Sequence, residues 1–346
     1  MINFKFTGTS HGEGYGGTIS GLPNGFTFDV DDVNKQLYER KHGFGRSNRQ
    51  VFPDVVTFEG FDKTVTVNGD LRFFVANKCV ECRQEITALR SGHSDVVGKA
   101  RHHELSVRDL AEISSARNSV CYVVLGAICK QYLASRGIYT YHYVEKIGGI
   151  ASHNRYRFGI SEKEPHFATL HCPCRYATGL MVEAIDKARQ ESNSLGGLVA
   201  VGATGLPMGL GEILPYTERL DAQISANLVG IPSVKGITFG IGDRYANIDG
   251  VAAHDELATK DGEIVYATNK CGGIVAGVTT GGDILCHLTV KPVPTVKNVE
   301  TVDSLSQKTV AQHYERADVC VVPNVGVIAE NILAYVITNQ ILKQGK

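Results

Sequence analysis

The chain has 346 residues, of which 43% are hydrophobic and 21% charged, as in a water-soluble globular protein long enough to bury a large core. Its net charge of −1 excludes a general electrostatic attraction to nucleic acid or anionic membranes, so an anion site requires local clusters of Arg and Lys. The N-terminus shows no apolar signal segment, and no uninterrupted apolar run reaches the roughly 18 residues of a membrane helix. We therefore expect a cytoplasmic protein.

Several segments show helical periodicity. The first begins after Asp29 and keeps Val30, Val33 and Leu37 on one face. The longest repeats apolar residues at spacings of three and four, which predicts a central helix. The predicted helices are 30–41, 107–135, 178–192, 217–229 and 325–343.

Short runs that mix β-branched residues with glycine predict strands. They are 16–20, 55–59, 64–67, 71–75, 139–145, 197–204, 236–240, 274–279, 284–290 and 319–322. The order of these elements indicates an α+β fold with sheets layered on helices rather than a simple alternation of strand and helix. No G-x-G-x-x-G follows a strand and opens a helix, so a Rossmann dinucleotide site is not supported.

A short pattern occurs twice, about 180 residues apart. A strand leads to the turn Gly21–Gly25 in the first copy and to Gly205–Gly209 in the second, and each turn reads G-L-P-x-G. This recurrence predicts a single domain built from two related halves, roughly 1–145 and 176–346. Chance would also give so short a match.

The nine cysteines predict reduced thiols rather than disulfides, because no secretion signal precedes them. Cys79–Cys82 and His171–Cys174 each hold only part of a four-ligand zinc set, and no second close pair has zinc-finger spacing. We therefore expect no metal site.

Arginines cluster in two stretches. Arg40, Arg46 and Arg49 flank the glycines of one loop, and guanidinium groups suit phosphate and carboxylate ligands. Arg90 opens a second basic stretch, in which Arg117 follows Ser-Ser-Ala inside an apolar pattern and needs a partner or a ligand. The residues alone leave open whether these cations bind a ligand, form ion pairs or are solvated.

Two histidines and one aspartate are candidate proton-transfer groups. His11 and His93 each lie beside glycine in a segment without helical pattern, and an imidazole donates protons at neutral pH. Asp318 is either a carboxylate base at a strand start or the ion-pair partner of Arg316. Lys291 and Thr295, in a K-P-x-P-T segment, are suited to a phosphate, although an ordinary strand end has similar residues.

These motifs follow one another in the order typical of the chorismate synthases, and the chain resembles that family over nearly its whole length. Ser10–Gly12 is similar to the family's first histidine motif, and Ser91–Asp95 resembles P-G-H-A-D. The E-R-A-D sequence at 315–318 resembles E-R-S-D. The resemblance implies a β-α-β sandwich with central helices between antiparallel sheets and an internal pseudo-duplication. It also implies a homotetramer.

The resemblance further implies a carbon–oxygen lyase acting on phosphates. The reaction would be 1,4-anti elimination of phosphate from 5-enolpyruvylshikimate 3-phosphate to give chorismate, the last common step of aromatic amino acid biosynthesis. His11 would protonate the departing phosphate, His93 would lie beside the flavin, and Asp318 would assist loss of the C6 proton. Ser10 and Ser115 would orient this network.

The implied cofactor is reduced FMN (FMNH2). The cofactor-binding residues implied are Ser114, Ser115, Pro232, Ser233, Ala276, Lys291, Thr295 and Arg316. The substrate-binding residues implied are Arg40, Arg46, Arg49, Arg90 and Arg117. The resemblance also associates the protein with NADP, but no NAD(P)H domain is evident, so an external flavin reductase or other source of reduced flavin is the simpler expectation.

Six positions depart from the family pattern: Ala276 stands where Gly is usual, Ser91 and Val319 stand where Pro is usual, and three others bear on the substrate. Thr9, Cys79 and Ile113 stand where Glu, Asp and Arg are usual. They keep two alternatives open: a flavin-dependent paralogue that eliminates phosphate from a different acid, and a non-catalytic flavin- or anion-binding homologue. Retention of His11, His93, Asp318 and the arginines argues against the non-catalytic homologue.

Overall fold

The computed structural model describes residues 1–47, 52–77, 86–153, 156–312 and 318–345. The helices are α1 (Val30–Lys41), α2 (Asp95–Arg101), α3 (Val107–Ile113), α4 (Ser119–Ala134), α5 (Phe167–Leu170), α6 (Arg175–Gln190), α7 (Leu220–Val229), α8 (Gly250–Ala253) and α9 (Val322–Gln344). The strands of the first part of the chain are β1 (Asn3–Gly8), β2 (Gly14–Ser20), β3 (Thr27–Asp29), β4 (Val56–Phe58), β5 (Thr64–Thr66), β6 (Leu71–Ala76), β7 (Tyr139–Ile147) and β8 (Ile150–Ala151). Those of the second part are β9 (Gly197–Thr204), β10 (Met208–Gly211), β11 (Val234–Phe239), β12 (Leu257–Lys260), β13 (Glu263–Tyr266), β14 (Ile274–Val275), β15 (Val278–Thr280), β16 (Ile284–Val290), β17 (Glu300–Val302) and β18 (Thr309–Ala311).

Two antiparallel sheets enclose a layer of long helices. The first sheet has the strand order β1-β2-β6-β4, and the second has the order β11-β16-β9-β7-β8. Helices α4 and α9 pack along each other between them, with α4 against β2 of the first sheet and α9 against β7 and β9 of the second. The predicted α+β sandwich is therefore confirmed.

Helix α9 is predominantly apolar and has no single apolar face, as expected of a helix buried on nearly every side. By length and composition it could cross a membrane, but 83% of its most apolar window is buried inside the protein. Leu333, Ala334 and Ile337 are fully buried. We interpret α9 as the core helix of the sandwich.

The crossing of α4 and α9 requires a glycine. A Cβ atom on Gly126 would lie 2.3 Å from the main-chain oxygen of Asn331. The two backbones therefore approach to a distance that no side chain permits. The Asn331 side chain donates to the carbonyl of Val327 at 2.8 Å and to the Gln36 side chain at 3.0 Å, which ties α9 to α1.

The prediction of one continuous helix at 107–135 is wrong. The helix is interrupted after Ile113, continues as a short 3-10 turn at Ala116–Asn118, and resumes as α4. Ser115 is extended, and its hydroxyl accepts from the main-chain N–H of Arg117 at 3.3 Å. Serine hydroxyls compete in this way with helical hydrogen bonds, a signal that apolar periodicity does not detect.

Two strand predictions also need correction. The predicted strand 274–279 is a hairpin of β14 and β15, because Ala276 and Gly277 both have positive φ. The predicted strand 319–322 is absent from the described structure: Cys320 forms only an isolated bridge with Leu195, and α9 begins at Val322. Strand β1 and helix α2 were not predicted.

The two G-L-P-x-G turns share a geometry. Gly21 follows β2 with φ 80°, and Gly205 follows β9 with φ 79°. A Cβ atom on either would lie within 2.2 Å of a main-chain carbonyl oxygen. Strand β7, at the end of the predicted first half, pairs with β9 in the second sheet, and the division into related halves stays a prediction.

Candidate active site

A cavity of about 650 Å³ opens where the ends of α1, α3 and α9 meet several loops. A volume of this size is typical of small-molecule sites. All of the predicted catalytic residues line it: Ser10, His11, His93, Ser115 and Asp318. Three segments that are far apart in the sequence therefore meet at one site.

His11 lies against a buried carboxylate. Its Nδ1 atom is 2.7 Å from Oε1 of Glu112, whose side chain is only 4% exposed. Oε2 of Glu112 accepts from the main-chain N–H of His11 at 3.1 Å and from the Ser10 hydroxyl at 3.2 Å. Glu112 therefore fixes both the ring and the loop that carries it.

His93 has a similar environment. Its Nδ1 atom lies 2.8 Å from Oδ1 of Asp95, and Ser94 and Arg90 approach the same nitrogen. Asp95 is fully buried and accepts three further hydrogen bonds from Arg90. Burial alone would raise the pKa of Asp95, but the hydrogen bonds from His93 and Arg90 outweigh it and hold the pKa well below its usual range.

Three cations surround another buried carboxylate, Asp54. Oδ2 lies 3.3 Å from Arg40, and Oδ1 lies 3.1 Å from Lys41 and 2.9 Å from Arg117. Burial would raise the pKa of Asp54, but Arg40, Arg117 and Lys41 together lower it. Burial likewise lowers the pKa of Arg40 to about 10. One carboxylate thus holds three cations at the cavity wall and leaves an excess of positive charge.

Asp318 is ion-paired with Arg46, whose Nε also donates to the carbonyl of Lys41. Its Oδ2 atom lies 2.5 Å from Arg46, and its Oδ1 atom accepts from the main-chain N–H of Ser47 at 2.8 Å. Arg316, the partner weighed from the sequence, lies outside the described residues. Among the described residues, the predicted substrate-binding loop holds this carboxylate.

The other predicted binding residues divide into three groups. Those that line the cavity are Ser114, Ser115, Pro232, Ser233, Lys291, Thr295, Arg40, Arg46, Arg90 and Arg117. Ala276 does not line it and lies in the turn of the β14–β15 hairpin. Arg49 and Arg316 lie outside the described residues, as does Cys79.

Sequence reasoning missed the carboxylates that organise the site. Asp95 lies within the histidine motif that the sequence singled out, so its role was open to prediction. Glu112 is close to Ser114 and Ser115, but no local pattern relates it to His11, 101 positions earlier. Asp54 is not part of any motif identified in the sequence.

Asn77 is a further residue that organises the site and that was not predicted to do so. Its amide donates to the carbonyls of Thr9, Ser10 and Gly12 at 3.0, 3.3 and 2.9 Å, and its Oδ1 atom accepts from Arg117 at 2.7 Å. One side chain thus links the His11 loop to the cation cluster.

The described cysteines are free, and Cys172 and Cys174 of the second predicted cluster are buried. Within the described ranges, no three His, Cys, Asp or Glu side chains form a group that could hold a metal ion. The donors that face the cavity are instead hydroxyl, guanidinium, ammonium and imidazole groups, a set that suits anionic ligands and proton transfer.

Comparison with known proteins gives one consistent family. The chorismate synthase family model matches residues 2–342. A chorismate synthase of Carboxydothermus hydrogenoformans is 32% identical over 99% of this chain and 94% of its own length. One of Moorella thermoacetica is 31% identical with the same coverage. A crystal structure of chorismate synthase has the same fold, with a TM-score of 0.79, 24% identity, and coverage of 99% of this chain and 92% of that one.

Proposed function

Since this chain belongs to the chorismate synthase family, we propose that it converts 5-enolpyruvylshikimate 3-phosphate to chorismate by 1,4-anti elimination of phosphate. It is then a carbon–oxygen lyase of the shikimate pathway. The observation that carries the proposal is the cavity in which His11, His93 and Asp318 converge beside the arginines. Relatives named for this activity match 99% of the chain.

The family implies a flavin cofactor, and we propose reduced FMN. The residues fit such a group, because the cavity lining combines apolar surface with hydrogen-bond donors. Ile231, Val293 and Val325 offer surface for a planar ring. The donors, which would hold the phosphate and the polar ring edge, are Ser114, Ser115, Ser233, Lys291 and Thr295. When bound, reduced FMN supplies an electron-rich ring that stabilises charge deficiency in the substrate.

His11 is the proposed proton donor to the departing phosphate. Its Nδ1 atom faces Glu112, so Nε2 is the nitrogen available to the cavity. Protonation at a bridging oxygen makes the phosphate a better leaving group as the C–O bond breaks. The Ser10 hydroxyl, 3.1 Å from Nδ1, helps fix the ring.

Asp318 is the proposed group that assists loss of the C6 proton. Arg46 and the main chain of Ser47 hold its two oxygens, so the carboxylate has a fixed direction. His93 is held by Asp95 in the same way and would stabilise the flavin rather than the substrate. His11 and Asp318 are thus held by different partners, Glu112 and Arg46. Two independently positioned proton-transfer groups fit an elimination in which a proton and a phosphate leave from different carbons.

The cations provide the proposed substrate site. Arg40, Lys41 and Arg117 share one carboxylate, so their combined charge remains positive toward the cavity. Such a preorganised cluster attracts an anion without reorganising when it binds. Arg46 and Arg90 belong to the same proposed site, although each already has a carboxylate partner.

The test is an anaerobic turnover assay with purified protein, chemically reduced FMN and enolpyruvylshikimate phosphate, with oxidised FMN as control. We expect phosphate release and chorismate absorbance only with reduced FMN. Flavin binding without turnover of this substrate would favour the paralogue. No flavin binding would favour the non-catalytic homologue.

We also propose a cytoplasmic homotetramer supplied by an external flavin reductase or another source of reduced FMN. Light scattering after size exclusion tests the tetramer. Anaerobic incubation with NADPH and oxidised FMN tests whether the protein reduces its own flavin: we expect no bleaching of the flavin unless a reductase is added.

A further inference from the structure

Position 112 is an unfavourable place for a carboxylate such as that of Glu112. It lies in the last turn of α3, where the helix dipole disfavours negative charge, and that turn contains no basic residue. Its side chain is buried. Burying a charge in such a position costs free energy unless a specific partner compensates. An ionisable side chain that the described structure places against it is His11.

The contacts of Glu112 are divided between its two oxygens. Oε2 accepts from the main-chain N–H of His11 and from the Ser10 hydroxyl. Oε1 approaches Nδ1 of His11 at 2.7 Å. It has no aligned hydrogen bond in the described structure, so this is a close approach of an acceptor oxygen to a ring nitrogen. Since a carboxylate only accepts, Oε1 favours a proton on Nδ1.

This geometry differs from that of a nucleophilic triad. Ser10 and Glu112 both approach Nδ1, whereas a triad places the acid and the serine on opposite nitrogens. Activation of Ser10 as a nucleophile is therefore not favoured. Among the described residues, no group hydrogen-bonds to Nε2, which is left for the ligand.

We propose that Glu112 is a positioning residue that keeps a proton on Nδ1 of His11 and so makes Nε2 the nitrogen that delivers the proton to the leaving phosphate. The inference rests on the proposed function for its catalytic part. After donation, His11 remains neutral with Nδ1 protonated. Nε2 then takes up a new proton from solvent before the next turnover.

The substitution Glu112→Gln tests the idea sharply. The main-chain N–H of His11 can only donate, so the amide oxygen of the new side chain must take the place of Oε2. Its NH2 group then faces Nδ1, which must accept a hydrogen bond. The neutral ring therefore carries its proton on Nε2, and the doubly protonated ring is disfavoured.

Two readouts separate this role from a purely structural one. Solid-state 15N NMR of full-length, histidine-labelled protein, with and without FMN, reports which ring nitrogen is protonated, and a His11→Gln sample assigns the signal. We expect protonated Nδ1 in the wild type and a shift to Nε2 in E112Q. Steady-state kinetics should show kcat of E112Q lower by about 10–100-fold, less than the roughly 10²–10⁴-fold cost of losing a proton donor. KM should stay within about threefold.

Two variants serve as controls. Glu112→Asp keeps the charge with a shorter reach, so it should keep Nδ1 protonated and recover part of kcat. Glu104→Gln alters an exposed carboxylate near the same helix and should leave both readouts unchanged.

The outcomes are distinct. An unprotonated Nδ1 in the wild type overturns the inference even if E112Q fails to fold, and so does an E112Q protein with the wild-type tautomer and kcat. A tautomer shift without chorismate formation by the wild type would support the positioning role and refute the proposed function.

Discussion

Removal of the charge of Asp54 tests the most heavily charged part of the site. Its side chain is 1% exposed and contacts Arg40, Lys41 and Arg117 at 2.9 to 3.3 Å. In Asp54→Asn these cations stay buried or half-buried without a counter-charge. At an effective dielectric constant of about 20, each contact is worth roughly 5 kcal/mol before desolvation is subtracted.

The net effect is smaller, because the wild type also bears the cost of desolvating Asp54. Removal of one partner from a buried ion pair typically costs about 3–5 kcal/mol. We expect D54N to lose this amount of unfolding free energy, with a melting temperature lower by roughly 5–10 °C. Inorganic phosphate should restore part of the lost unfolding free energy, because an anion bound in the cavity can replace the missing charge.

The assay is urea and thermal unfolding followed by circular dichroism. The matched control is Glu59→Gln, which breaks an exposed contact of 3.7 Å with Arg72 and should cost less than about 1 kcal/mol. A loss of unfolding free energy in D54N as small as that of the control would show that Asp54 is not the shared counter-ion of the three cations.

The pH dependence of the same variant gives a second check. The folded pKa of Asp54 lies below its ordinary value of 3.8. Its contribution is therefore complete above pH 3.8 and is lost as the pH falls through the folded value. The difference in stability between wild type and D54N should shrink over that acid range, and a constant difference would contradict the assignment.

Three further predictions concern the histidines of the proposed mechanism and the core. His11→Ala and His93→Ala should each lower turnover well over tenfold in the anaerobic assay while FMN affinity stays roughly intact; wild-type rates would refute the proposed roles. Gly126→Ala should destabilise the protein by at least about 1–3 kcal/mol in urea unfolding, because its Cβ atom would lie 2.3 Å from the Asn331 carbonyl; an unchanged midpoint would show that α4 and α9 separate freely. Glu330→Gln should lower the free energy of unfolding by about 3–5 kcal/mol in the same assay, because this carboxylate is buried and lies 2.5 Å from both Lys130 and His142. A loss below about 1 kcal/mol would contradict this prediction.

The departures from the family pattern have different structural settings. The carbonyl of Thr9 accepts from Asn77, so its backbone takes part in the site. Ile113 is 53% exposed and does not line the cavity. Cys79 lies outside the described residues. Of these positions, Thr9 is the one whose described contacts reach the His11 loop.

Regular elements were largely predictable from local pattern. Helix α1 has the predicted bounds, because Asp29 caps it and apolar residues recur on one face. Strand β9 likewise spans the predicted 197–204. Predictions failed where side-chain chemistry interrupts a periodic run, as at Ser115, or where two residues of positive φ turn the chain, as at Ala276.

The layered fold, the long core helices and the motifs of the site could be predicted from the amino-acid sequence, because periodicity and motif order are properties of neighbouring residues. Which carboxylate contacts which histidine or arginine became clear only from the folded chain. The pairings of His11 with Glu112, Arg46 with Asp318 and Arg117 with Asp54 join residues separated by 63 to 272 positions. Such pairings depend on how α1, α3 and α9 pack against the rest of the protein. That packing is driven by burial of their apolar faces, which involves residues far apart in the sequence and therefore produces no local sequence pattern.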